Sequence, residues 1–137
     1  MKILFINNKD SFVWNLVDYF SMYESDTEVV PNTITVEEVK SFNPDVIVIS
    51  PGPGNPENRN DVGSCVDIIR KFGAETPVLG ICLGNQSINT AFGGTTGHAE
   101  GGPVHGKAHR IQHDKSPIFE GISNPMTSGR YHSLGIE

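Results

Sequence analysis

The sequence predicts an α/β protein: a doubly wound, mostly parallel sheet with helices on both faces. Three observations predict it. Short, wholly apolar runs at residues 3–6, 46–49 and 78–81 read as strands buried on both faces, as parallel strands are. Stretches with helical apolar spacing lie between those runs, so strand and helix alternate along the chain. Fifteen glycines and nine prolines among 137 residues supply the tight turns that separate them.

Each element has its own warrant. Residues 3–6 are closed by Asn7-Asn8, and Asp10 or Ser11 can cap the helix that follows. Phe12, Leu16, Tyr19, Phe20 and Tyr23 recur at helical spacing and mark the face expected against the sheet, with Trp14 on the opposite side. Residues 27–31 offer a second strand. Residues 36–42 offer a short helix, ended before Asn43-Pro44 because a residue preceding proline avoids the helical region. Residues 46–49 are all β-branched. A loop at 50–61 leads into one long helix marked by Val62, Cys65, Val66, Ile69 and Phe72. Strand 78–81 then leads to a helix at 85–92, ended by Gly93-Gly94. Beyond it, residues 95–106 are rich in glycine and histidine, 108–113 and 126–136 read as later strands, and 117–119 as a helical turn. With no repeat and no linker, the expectation is one domain over residues 1–137.

Bulk properties exclude several functions. Ten basic against sixteen acidic residues give a net charge of −6, which attracts neither nucleic acid nor an anionic membrane surface. No apolar run approaches the length of a membrane span, and residues 1–8 lack the form of a signal peptide. The expected compartment is the cytoplasm, where Cys65 and Cys82 are thiols.

Cys82 stands where a buried strand meets a helix, between Gly80 and Gly84. Small residues there permit a sharp turn that projects the thiol at the carboxyl edge of the sheet, where open α/β folds bind ligands. The N–H groups opening the next helix, Leu83 first, can face an oxyanion. A lone cysteine is more often a core residue. Cys65, on the apolar stripe of its helix, is read that way. Ser50-Pro51-Gly52-Pro53-Gly54 follows another strand, so it reaches the same edge. Its prolines stiffen the backbone and its glycines allow close approach, although such a loop alone is also an ordinary turn.

Gly80-Ile81-Cys82-Leu83-Gly84-Asn85-Gln86 resembles the nucleophile motif of class I (triad type) glutamine amidotransferases, whose sheet is flavodoxin-like. Ser50-Pro51-Gly52-Pro53-Gly54-Asn55-Pro56 resembles their oxyanion loop. Asp10-Ser11-Phe12 with Asn15-Leu16 resembles the small subunits of anthranilate synthase and aminodeoxychorismate synthase, and Tyr131-His132-Ser133-Leu134 the strand that lies along bound glutamine. The resemblance runs through the whole sequence. Asn85 departs from it, since histidine is more usual there. It implies that Cys82 attacks the carboxamide of glutamine to give a thioester and ammonia. It implies that the N–H groups of Leu83 and Gly54 hold the oxyanion, and that Gly52, Pro53, Gly54, Gln86, Ser133 and Leu134 bind glutamine. It implies no cofactor and no metal, and as partner a larger chorismate-binding synthase subunit that takes the ammonia for tryptophan synthesis, with Trp14 a candidate for that interface. The folate-pathway aminodeoxychorismate subunit is the alternative.

The resemblance also implies a base and an orienting acid in a His/Glu motif beyond Tyr131-His132-Ser133-Leu134, and the sequence is expected to end at Glu137 before it. General-base help is worth ~10²–10⁴-fold, so poor turnover is expected from these residues alone. His98-Ala99-Glu100 has the letters of a substitute base pair. His105, His109 and His113 are spaced by four, but their glycines oppose a helix and the set lacks Cys or carboxylate support for a metal. Two other readings stay open: a non-catalytic amidotransferase-like binding domain, and a different thiol chemistry on the same sheet.

Overall fold

The computed structural model describes residues 1–23 and 26–136. They fall into two compact units, one of residues 1–96 with Ile136, the other of residues 97–135.

The first unit is built on four strands: β1 (Lys2–Asn7), β2 (Asp26–Pro31), β3 (Val46–Ile49) and β4 (Val78–Gly80). They are all parallel, in the order β2-β1-β3-β4. The chain leaves β1 toward one edge and returns to build toward the other, so the order reverses between β1 and β3. Open α/β sheets bind ligands at the carboxyl ends of the strands beside such a reversal.

Alternation along the strands supplies two cores. Ile3, Phe5 and Val48 face α1 (Val13–Ser21) through Val13 and Leu16. Leu4, Ile6, Ile47 and Ile49 face the other way, onto Val39 of α2 (Val36–Phe42), Cys65, Ile68 and Ile69 of α4 (Cys65–Phe72), and Leu83 of α5 (Leu83–Ala91). Helices therefore cover both faces, as the strand–helix alternation predicts.

Two expectations are corrected. On α1 the buried stripe is Val13, Leu16, Val17 and Phe20, whereas Phe12, Tyr19 and Tyr23 are exposed, as is Trp14. The helix starts later than the spacing suggested. Asp10 accepts the Phe12 N–H at 2.8 Å, ahead of the first helical residue, and no side chain caps α1. The long helix expected from Val62 to Phe72 is broken into α3 (Arg59–Val62) and α4. Gly63 takes φ +55°, and a Cβ there would lie 2.1 Å from the Asn32 carbonyl oxygen. Ser64 donates its N–H to that same carbonyl at 2.9 Å. A tertiary contact, invisible to periodicity, ends one helix and starts the next.

Helix α2 shows how local chemistry sets a boundary. The Thr35 hydroxyl accepts the Glu38 N–H at 3.2 Å, and the Glu38 carboxylate accepts the Thr35 N–H at 2.8 Å. This reciprocal cap satisfies two otherwise unpaired donors. The Thr35 backbone N–H, then its hydroxyl, hold the Glu38 carboxyl below its ordinary value. A lowered folded-state pKa contributes stability above the unfolded value and loses it as pH falls through the folded one. Thr35→Ala is thus expected to lower the unfolding midpoint at pH 7. The gap to the parent should narrow in acid, as thermal melts across the carboxylate range would show.

The second unit holds β6 (Val104–Ile111) antiparallel to β7 (Met126–His132), and a 3-10 turn at Pro117–Phe119. β5 (Thr96–His98) pairs with β8 (Leu134–Ile136) in a two-stranded sheet. His105 and His109 lie on a strand, so their spacing gives no helical alignment. Among the described residues no His, Cys, Asp and Glu group of three or more could hold a metal, and no helix is long and apolar enough to cross a membrane.

Candidate active site

Cys82 joins β4 to α5. The β3–β4 ladder extends one bond past Gly80, through the Ile81 N–H to the Ile49 carbonyl at 3.0 Å. The chain then turns within one residue, since Gly84 already donates to the Ile81 carbonyl at 3.0 Å. The turn is concentrated on Cys82, which has φ +53° and ψ −109°. A non-glycine residue in such a region costs roughly 1–3 kcal/mol and persists only where its surroundings enforce it. Its side chain makes no capping bond and is exposed.

The glycines on either side enforce the turn by closeness. A Cβ on Gly80 would lie 2.5 Å from the Gly84 carbonyl, and one on Gly84 would lie 2.3 Å from the Ile49 carbonyl oxygen. Neither glycine has a positive φ. Their contribution is space for strand and helix to touch backbone to backbone, while the unusual dihedral belongs to the cysteine.

The 50–55 loop leaves β3 at the same edge. Gly52 and Gly54 differ in kind. A Cβ on Gly52 would lie 2.5 Å from Asn8 and 3.0 Å from Leu83 Cδ2, so the loop rests on the residue after Cys82. Gly54 has φ +103°, and a Cβ there would collide with the Asp61 carboxylate at 2.3 Å. Pro53 and Gly54 are exposed. Leu83 opens α5, where an N–H has no acceptor within the helix. Gln86 lies one turn on, its N–H donating to the Cys82 carbonyl at 3.0 Å, and is only 7% exposed. Cys82, Leu83, Gln86, Gly52, Pro53 and Gly54 thus belong to two neighbouring segments of one sheet edge.

Cys65 is a core residue, as its place on an apolar stripe predicts. It is fully buried, and burial pushes its thiol up to about 12. Its Sγ lies 3.4 Å from Asn8 Oδ1.

Ser133 and Leu134 belong to the second unit. The Ser133 carbonyl accepts the Ala99 N–H at 3.2 Å, and its hydroxyl lies 3.2 Å from His105 Nε2. Leu134 opens β8, its carbonyl 3.0 Å from His132 Nδ1, while Arg130 Nε donates to His132 Nε2 at 3.0 Å. Both ring nitrogens of His132 are engaged, which suits a structural histidine and not a base.

Sequence reasoning missed Asn8, Asn32 and Asp61. Asn8 is fully buried at the end of β1, and Asn32 is 2% exposed after β2. For Asn8 and Asn32 the available signal was a polar residue directly after a strand, at the edge where ligands bind; Asp61, within α3, carried none.

The family model for class-I glutamine amidotransferases matches residues 4–137. Anthranilate synthase component 2 of Thermococcus kodakarensis is 50% identical over 134 residues, which cover 98% of this chain and 67% of that protein. The aminodeoxychorismate/anthranilate synthase component 2 of Bacillus subtilis is 43% identical, covering 98% of this chain and 68% of that one. In structure, a glutamine amidotransferase from Thermotoga maritima superposes with a TM-score of 0.75 at 16% identity, over 100% of this chain and 62% of that one. The chain spans about two thirds of the length of these relatives. A strained cysteine between two contact glycines, an apposed glycine loop and a family match over almost every residue agree: the chain belongs to the class I glutamine amidotransferase family.

Proposed function

We propose that this chain is the glutamine-hydrolysing part of an anthranilate synthase, and that residues 1–137 belong to one amidotransferase domain. The observation that carries the reading is Cys82 at φ +53°, directly before α5, with the 50–55 loop resting on Leu83. In this reading Cys82 Sγ attacks the carboxamide carbon of glutamine and its thiol proton passes to the histidine base of the family's His/Glu motif. The carbonyl oxygen becomes an oxyanion held by the N–H groups of Leu83 and Gly54. The C–N bond breaks, ammonia leaves with the returned proton, and water hydrolyses the glutamyl thioester to glutamate. Gly52, Pro53, Gly54, Gln86, Ser133 and Leu134 bind the substrate. The ammonia goes to a chorismate-binding synthase subunit, and the compartment is the cytoplasm, where the two free cysteines stay reduced.

The relative named for both aminodeoxychorismate and anthranilate synthase keeps a second product in view. The two separate by reconstitution: the chorismate-binding subunit that turns this chain's ammonia into product identifies the pathway.

A diazoketone analogue of glutamine tests the chemistry in the full-length protein. It is expected to alkylate Cys82 stoichiometrically, to be blocked by excess glutamine, and to spare Cys65, which is buried and protonated at neutral pH. Absence of glutamine-protected labelling at Cys82, read by peptide mass spectrometry, would overturn the reading.

A further inference from the structure

The 50–55 loop is tied down at both ends by polar side chains that belong to neither of the two motifs at the sheet edge. At its start, Asn8 Nδ2 donates to the Ser50 carbonyl at 3.0 Å, and the Ser50 hydroxyl accepts the Asn8 N–H at 2.9 Å. At its end, Asp61 Oδ2 accepts the Asn55 N–H at 2.9 Å. Asn32 joins the two ends. Its Nδ2 donates to Asn8 Oδ1 at 2.9 Å and to the Asp61 carbonyl at 2.8 Å. Asn32 is fixed in turn by Ser64, whose N–H and hydroxyl both donate to its carbonyl at 2.9 Å. The ends of β1, β2 and β3 and the short helix α3 are thereby joined by one buried chain of amides.

We infer that Asp61 is the positioning residue of the oxyanion loop, with Asn32 and Asn8 as the scaffold that holds Asp61 and Ser50 in register. The inference rests on the functional reading above. Gly54 is where the mechanism needs an N–H aimed at a developing charge. Its φ of +103° brings its Cα against Asp61, and the carboxylate fills the space a Cβ would take. The adjoining Asn55 N–H is locked onto that carboxylate by a charge-assisted bond. Fixing one peptide plane restricts the rotation of its neighbour, so the Gly54 N–H inherits its aim from Asp61. Asp61 itself touches no reacting atom. It acts by preorganisation, which stabilises a transition state more than a ground state.

The test uses the full-length protein with Asp61→Ala and Asp61→Asn. Removing one oxyanion donor costs ~10²–10³-fold, and mispositioning by about 1 Å costs ~10²-fold. Asp61→Ala is expected to lower kcat for glutamine by about 10²-fold with KM changed by less than about threefold. Alkylation of Cys82 by iodoacetamide, a displacement at saturated carbon that forms no oxyanion, should stay within about twofold of the parent. Asp61→Asn keeps an oxygen acceptor for the Asn55 N–H and should recover kcat to within about fivefold. Amide exchange at Asn55 gives a second readout that needs no catalysis: protected in the parent and in Asp61→Asn, fast in Asp61→Ala. Parent-like kcat in Asp61→Ala, equal losses of kcat and iodoacetamide reactivity, or a folded Asp61→Asn as slow as Asp61→Ala would each overturn the inference. Should Asp61→Ala not fold, an unprotected Asn55 N–H in the parent overturns it. A parent that hydrolyses no glutamine while Asn55 stays protected overturns the functional reading, and the catalytic role of Asp61 with it.

Discussion

Replacing Cys82 with glycine is expected to abolish glutamine hydrolysis and, at the same time, to raise the stability of the fold. Loss of the attacking sulfur removes the covalent route, and nucleophile deletions in triad enzymes cost ~10³-fold or more. The gain in stability has a separate origin. Cys82 sits at φ +53° and ψ −109°, and its exposed side chain contributes little packing. Glycine relieves roughly 1–3 kcal/mol of backbone strain and gives back ~0.5–1 kcal/mol of unfolded-state entropy. A net gain of about 1 kcal/mol, a rise of a few degrees in Tm, is expected. Cys82→Ala separates the two effects, because alanine removes the sulfur but keeps the Cβ and the strain. It should be as inactive as the glycine variant and no more stable than the parent. Ammonia release from either variant within tenfold of the parent would show that Cys82 is not the nucleophile. Equal melting temperatures for all three proteins would show that the turn is not strained.

That pairing of strain with function explains which parts of the molecule could be read from its residues. Regular elements were legible because burial leaves periodic marks. The apolar runs at 46–49 and 78–81 became β3 and β4, and α2 took the bounds that its spacing and Asn43-Pro44 imply. The sharp turn at Cys82 was legible because two glycines flank it. What was not legible depends on residues distant in sequence. Gly63 splits a helix because Asn32, some thirty positions earlier, lies against it. On α1 the sheet takes Val13 and Val17 beside the expected Leu16 and Phe20 and leaves Phe12, Tyr19 and Tyr23 exposed, a choice among apolar positions that tertiary packing makes. The amide chain Asn8–Asn32–Asp61 left no motif at all, since sheet order sets Asn8 beside Asn32 and the fold of α3 brings Asp61 to them. Periodicity reports the face an element buries, and it carries no record of polar partners gathered from two strand ends and a helix.

Gly84→Ala is expected to damage stability and activity together, and the reason is contact. Gly84 does not have a positive φ, so alanine should be welcome there on helix propensity alone, by ~1 kcal/mol. The structure predicts the opposite sign. The added methyl would lie 2.3 Å from the carbonyl oxygen of Ile49 and 2.9 Å from its carbonyl carbon. Ile49 ends β3, is fully buried, and is hydrogen-bonded to the Ile81 N–H, so its carbonyl cannot swing away without breaking the sheet. Helix α5 must therefore move outward. Overpacking of this kind costs ~1–3 kcal/mol, and the upper part of that range is expected because the obstacle is backbone. The same displacement carries Leu83 away from Gly52, on which the loop rests, and a shift of about 1 Å between nucleophile and oxyanion donors costs ~10²-fold in rate. Gly93→Ala is the control. That glycine has φ +90°, and a Cβ added to it would meet nothing within 4 Å, so its substitution should cost stability through conformation alone and leave glutamine turnover of the folded protein unchanged. Thermal melts with glutaminase assays on both variants decide the matter. If Gly84→Ala melts at or above the parent temperature, strand and helix are not in the backbone contact that shapes the Cys82 turn.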